Sequence, residues 1–130
     1  MSDRGQALVE FALVLPFLLT FALAIALMTE VGVARLALEN AASEAARIGS
    51  LTNDDEEIRR AALSAVAPID PAAVIVRIEP GELDAPRDHD PRGTIIRVGL
   101  EHSVAVPLGI AGLPGVTVRA WAARVMEWTP

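Results

Sequence analysis

Between Phe11 and Met28 the chain carries no charged side chain, and that run constrains everything around it. As a helix it spans about 27 Å, slightly short of the roughly 30 Å hydrocarbon core of a bilayer. Adding Gln6 to Val9 makes up the difference, provided Glu10 is tolerated. Pro16 would break a soluble helix because it lacks an N–H, but membrane helices accept it with a kink. Arg4 and the initiating amine precede the run and Glu30 lies just past its far end. The charge bias predicts a single pass through the inner (cytoplasmic) membrane, with the N-terminus cytoplasmic and the remainder outside.

Glu10 is the costly residue. Insertion scales charge about 2.5–3.5 kcal/mol for an Asp, Lys or Arg at mid-helix, and less near the ends. An intramembrane carboxylate therefore implies a partner. If the chain were cut after Gly5, Gln6 would carry a new α-amine one helical turn from Glu10.

Gly5-Gln6-Ala7-Leu8-Val9-Glu10-Phe11 resembles the class III signal of type IV pilins, with cleavage after a glycine and a glutamate at mature position five. Extended from Arg4 to Pro16, the segment is similar to the TadE-like family, pseudopilins of the tight-adherence (Flp) pilus. Its Arg-Gly, Val-Glu-Phe and Leu-Pro elements are all present, and Ala41 to Gly49 resembles the Ala-rich end of the family's helix. The resemblance implies a minor pseudopilin cut after Gly5 by a prepilin peptidase and assembled through its N-terminal helix. Its partners would be that peptidase, other pilin subunits and the assembly machinery, and Glu10 and Phe11 would carry subunit pairing. Residues 1–5 would be the leader, 6–28 the transmembrane segment and 29–130 an extracytoplasmic α+β domain including the continued helix. Two other readings stay open. Ala24-Ile25-Ala26 has the small-x-small form of a secretory cleavage site, which would release a soluble protein. An uncleaved single-pass anchor carrying a binding domain is the other.

Beyond the membrane the helix is expected to continue to about residue 48. Val31, Ala34, Leu38, Ala41, Ala45 and Ile48 repeat at spacings of three and four, an apolar seam of heptad type. Such a seam serves either the chain's own sheet or neighbouring helices, and Gly49 reads as its terminator. Thr52 to Glu57 opens a second, shorter helix to about Val66, with Asn53 as N-cap and Glu56 at N3. Its four acids suit a helix N-terminus. Calcium is the rival use, but the run lacks the alternating ligands and central glycine of an EF-hand.

After Pro68 and Pro71, period-two alternation predicts strands from Val74 to Glu79, from Ile96 possibly to Val106, and from Val116 to about Trp128. Glu79 to Arg92 reads as a long exposed loop, with Glu82, Asp84, Asp88 and Asp90 serving solvation. The apolar link Pro107 to Gly115 is expected to cap the core, rather than dip into the membrane or cover a subunit contact. Together these elements predict an α+β, pilin-like layout: one long N-terminal helix packed on a small antiparallel sheet, with one short extra helix.

A net charge of −6 argues against nucleic acid as partner. The absence of cysteine removes disulfides and thiolate metal sites. His89 and His102 share no metal-ligand spacing, and no Ser–His–acid or phosphate-loop motif is present. The expectation is a non-enzyme with no cofactor and no metal.

Overall fold

A computed structural model describes residues 3–106 and 112–130. In chain order it contains helix α1 (Asp3–Leu51), helix α2 (Asp55–Ser64), a 3-10 turn (Pro71–Ala73), and strands β1 (Val74–Glu79), β2 (Ile95–Val104) and β3 (Val116–Val125). The strands form one antiparallel sheet in the order β1-β2-β3. The fold is therefore α+β, as the alternation and seam predict.

α1 has two environments along one continuous helix of about 74 Å (49 residues). Asp3 to Glu30 contains no buried residue, whereas Ala34, Ala37, Leu38, Ala41, Ala42, Ala45, Ala46 and Gly49 are buried. Nearly all of that buried stripe is alanine or glycine, so the helix backbone lies close to the sheet. From the other side it meets Val76, Ile96, Val98, Leu100, Val104, Val118 and Ala120, which occupy one face of the three strands. α2 covers the flank through Ile58 and Ala62, followed by Val66. Alternation along β1 and β2 explains the one-sided burial, since successive side chains point to opposite faces.

Three details differ from expectation. Gly49 does not end α1, which runs to Leu51. A Cβ at Gly49 would lie 3.0 Å from Ile96 Cδ1 and 3.1 Å from Ile58 Cδ1, so glycine permits the close approach of α1 to sheet and α2. The helix ends instead where Thr52 caps the Ile48 carbonyl with its backbone N–H (3.0 Å) and its hydroxyl (3.1 Å). The N-cap of α2 is Asp54, not Asn53: its carboxylate accepts from the N–H groups of Glu56 (2.8 Å) and Glu57 (3.2 Å). β2 ends at Val104 and β3 at Val125. Beyond β3, Met126 is buried and the N–H groups of Glu127 and Trp128 both donate to the Ser50 carbonyl (2.8 and 3.1 Å), tying the chain's end to the end of α1.

No described element covers the second face of the sheet. On it Trp121 lies over Gly99, where an added Cβ would meet three indole carbons at 2.7 Å. Glycine is needed there because the directly opposed residue of β3 spreads its ring across the position.

Candidate functional site

The N-terminal half of α1 gathers most of the residues singled out from sequence. Gly5, Gln6, Glu10, Phe11 and Pro16 all lie within the helix, which begins at Asp3 without a break at Gly5. Glu10 is exposed and accepts a hydrogen bond from Gln6 Nε2 at 3.3 Å, across one helical turn. Phe11 is exposed, as are Leu8, Leu13, Phe17, Leu18, Leu19, Phe21, Ile25 and Met28. Pro16 removes one backbone donor, and its own carbonyl accepts from the Thr20 hydroxyl (2.8 Å). Thr29 makes the same back-bond to Ile25 (2.9 Å). In a medium without water these bonds satisfy hydroxyls within their own helix, which suits a helix surrounded by lipid.

A contiguous apolar surface of this extent is not compatible with a solvated monomer, whose exposed apolar patches rarely exceed a few hundred Å². α1 is the one described helix long and apolar enough to cross a membrane, and no other described residue buries its apolar window. A buried core helix would fail that second criterion.

The seam residues are placed differently. Ala34, Leu38, Ala41 and Ala45 are buried on the chain's own sheet, while Val31 and Ile48 are half-buried at its ends. The polar row beside them is solvent-facing, with Arg35 Nε donating to Glu39 (2.9 Å) and Arg47 gripping Glu44 through Nε (3.0 Å) and Nη2 (2.6 Å). That grip holds the Glu44 carboxyl below the usual carboxylate range.

A second cluster escaped sequence reasoning. Arg87, in the β1–β2 loop, is 1% exposed. Its Nη1 donates to Asp55 Oδ1 and to the Pro80 carbonyl, both at 2.6 Å, and its Nε donates to Asn53 Oδ1 at 3.1 Å. Asn53 Nδ2 returns a bond to the Arg87 carbonyl (3.1 Å). Asp55 and Glu82 exchange backbone-to-carboxylate bonds of 2.9 and 3.0 Å, and Asp84 accepts from the Gly81 N–H (3.0 Å). The acidic loop is thus not mere solvation. Asp55, Glu82 and Asp84 are bound into a knot that joins it to the first turn of α2, and Asn53 serves that knot instead of capping. The guanidinium supplies internally the positive charge that calcium would bring. Among the described residues no group of three or more His, Asp or Glu converges on a metal-sized site. His102 is held by its Nδ1 at 3.0 Å from the Ala73 carbonyl, and His89 is exposed. The one sequence signal for this knot was a lone arginine within an acid-rich, Pro-flanked loop.

The link 107–115 lies largely outside the described residues. In its described part Leu113 is 58% exposed and does not cap the core.

The arrangement is consistent with a class: a single-pass membrane protein whose apolar helix continues past its uncovered half to become one layer of a small α+β head. Over its N-terminal segment the chain is similar to a known family. Residues 5–47 match the family model for TadE-like proteins, from the glycine at the start of the helix to the end of its sheet-packed half. The match covers about a third of the chain and marks a similarity of that segment to TadE-like proteins. No match was found among curated proteins or among solved structures.

Proposed function

We propose that this protein is a minor pseudopilin of a tight-adherence pilus. A prepilin peptidase cuts it after Gly5, and it assembles through the exposed half of α1. The observation that carries this reading is the conjunction of an uncovered membrane-length helix with Gly5 and Glu10 at its start, inside the family-matched segment.

Cleavage requires the helix to open at its first turn, because a peptidase needs the scissile bond extended. That turn is where fraying costs least. After cleavage the Gln6 α-amine takes the place of the preceding peptide, one turn from a Glu10 whose carboxylate is already directed at residue 6. Pairing with an α-amine, its own or a neighbour's, offsets the cost of holding Glu10 in the bilayer. An intermolecular pair also sets the axial register between subunits, because only one stagger brings the groups together. The head lies on the extracytoplasmic side of the cytoplasmic membrane, which the chain spans once.

The test is the intact mass and N-terminal sequence of the protein from its native host, with and without the prepilin peptidase. A chain starting at Gln6 only when the peptidase is present supports the proposal. A start at Leu27 would mean a secreted protein, and an unprocessed chain in both strains would leave a simple anchor; either result discards the Glu10 mechanism.

A further inference from the structure

Trp121 lies flat on the open face of the sheet. A Cβ added at Gly99 would be 2.7 Å from three contiguous indole carbons, Cδ2, Cε2 and Cε3. A point equally far from all three lies over the six-membered ring, not beside its edge. The indole therefore presses one face on the glycine backbone and turns the other to solvent, in keeping with an exposure of 50%. An aromatic face held in this way on regular strands needs no reorganisation to receive a ligand. α1 packs on the opposite face of the sheet, so neither a membrane span nor helix-to-helix assembly would occupy this one.

Strand register places charge all round the ring. Arg77, Gly99 and Trp121 are directly opposed across the three strands. Glu101 and Arg119 stand in the row on one side of them, and Glu79 and Arg97 in the row on the other. All of these point to the open face because they alternate with the buried Val76, Val98, Leu100 and Ala120. Arg119 Nε donates to Glu101 at 2.8 Å, whereas Arg77 and Arg97 make no ion pair among the described residues. Two open depressions of about 350 Å³ each meet at the indole; Arg77 lines one, Arg97 the other, and Glu79 both. The face carries three guanidiniums to two carboxylates, a positive excess on a chain whose net charge is −6.

These features fit one class of ligand. A pyranose presents C–H groups on one face, and their partial positive charge is attracted to the negative face of an aromatic ring. Its hydroxyl rim both donates and accepts, so it finds use for guanidinium and carboxylate alike. A carboxylate on the sugar supplies the bidentate partner that Arg77 and Arg97 lack. A polyphosphate would instead meet Glu79 and Glu101 beside the ring, and an apolar protein patch would have to strip water from these charged groups.

We infer that the open sheet face is a glycan site, with a uronic-acid ring of an acidic polysaccharide stacked on Trp121 and its carboxylate held by Arg77 or Arg97. A chain of such units running from one depression to the other would pass over the indole. The inference does not depend on cleavage after Gly5 or on the pairing of Glu10.

The test uses the full-length protein carrying Trp128→Phe, which leaves Trp121 as its one tryptophan. Dodecylphosphocholine micelles are the medium, because a glycoside detergent would compete. The probes are hexagalacturonate, maltohexaose as an uncharged counterpart, and hexaglutamate as an anion without sugar rings. Hexagalacturonate should shield Trp121 from acrylamide and bind at least about tenfold more tightly than either control. Arg77→Gln with Arg97→Gln, at two exposed positions, should weaken it about tenfold or more and leave the urea midpoint unchanged. Trp121→Leu should abolish the binding seen by calorimetry. Equal binding by hexaglutamate would give the face to anions at large and overturn the glycan, and equal binding by maltohexaose would overturn the acidic class. No shielding by hexagalacturonate at millimolar concentration overturns the inference, as does calorimetric binding that survives Trp121→Leu or the double arginine variant. Shielding that grows with protein concentration in the absence of any probe assigns the face to a second copy of this chain, and also overturns it.

Discussion

Replacing Arg87 with methionine should unfold the head far more readily than any surface substitution. Methionine is close in length and leaves little cavity, so the change isolates the guanidinium. Three charge-assisted bonds are lost, to Asp55, Pro80 and Asn53. At about 1.5–3 kcal/mol each they sum to more than the head could spare, but two terms offset them. Arg87 Nη2 is buried with no acceptor, so removing it relieves a penalty of about 1–3 kcal/mol. Asp55 keeps a side chain 25% exposed, so water can replace part of what it loses. The net loss should fall at about 2–4 kcal/mol, slightly below the range for breaking a fully buried ion pair. For a head of this size each kcal/mol moves Tm by about 4–8 °C, so the drop should exceed about 8 °C.

The measurement is urea unfolding of the full chain in detergent, followed by tryptophan fluorescence. Trp121 and Trp128 both belong to the head, so the micelle-protected half of α1 does not mask the transition. The midpoint should fall with m unchanged. Arg87→Lys should recover little, because one ammonium cannot reach acceptors arranged for a fork. A loss under about 1 kcal/mol in the methionine variant would refute the reasoning. It would mean the guanidinium's own desolvation cancels its bonds, as happens for some buried pairs.

Glu10→Ala should insert into the membrane normally and fail to enter assemblies, scored by fractionation and by sheared-pilus yield; normal assembly would remove the pairing mechanism. Gly49→Ala should lower the urea midpoint by about 1 kcal/mol in stability, since overpacking by about 1–3 kcal/mol against Ile96 and Ile58 exceeds the helix-propensity gain of about 1. An unchanged or raised midpoint would show that the two isoleucines yield freely. Glu101 accepts from Arg119 Nε at 2.8 Å, and that bond holds its carboxyl below the usual range. Its stabilising effect is present above the ordinary carboxylate pKa near 4 and is lost as pH falls through the lowered folded value. Glu101→Gln should therefore narrow the gap between midpoints measured at neutral pH and near pH 3, and an unchanged gap would count against the pair.

What the sequence made legible follows from how local each signal is. The spacing of Ala34, Leu38, Ala41 and Ala45 encodes a helix face, and the alternation from Val74 and from Ile96 encodes strands, because both patterns lie within one element. The N-cap was misplaced by one residue because Asn53 and Asp54 are equally good caps; only Arg87, thirty-four positions from Asn53, decides between them. Gly49 looked like a helix stop because the two isoleucine tips that require it lie on other elements. Trp121 over Gly99 depends on the β2–β3 register, which alternation alone does not specify. The start of α1 drew the proposal of a site for another reason. A carboxylate in a membrane-length helix violates local preference, and such violations mark function more often than packing.

In the proposed assembly the two halves of α1 divide the work. Because the alanine stripe from Ala34 to Ala46 is spent on the chain's own sheet, it is unavailable to neighbouring helices without dismantling the head. In the proposed filament, helix-to-helix contact is therefore confined to the part before Glu30, with Val33 and Leu36 at its margin. That segment is smooth, apolar and rich in leucine and alanine, and shape alone would let neighbouring helices slide by a turn at little cost. Glu10 breaks the degeneracy: displaced by one turn, about 5.4 Å, it would face hydrocarbon unpaired. A single carboxylate can specify register here because nothing else on the exposed surface competes with it. The same argument explains why a second carboxylate in the span would be harmful, since two equivalent staggers would then each satisfy one pair.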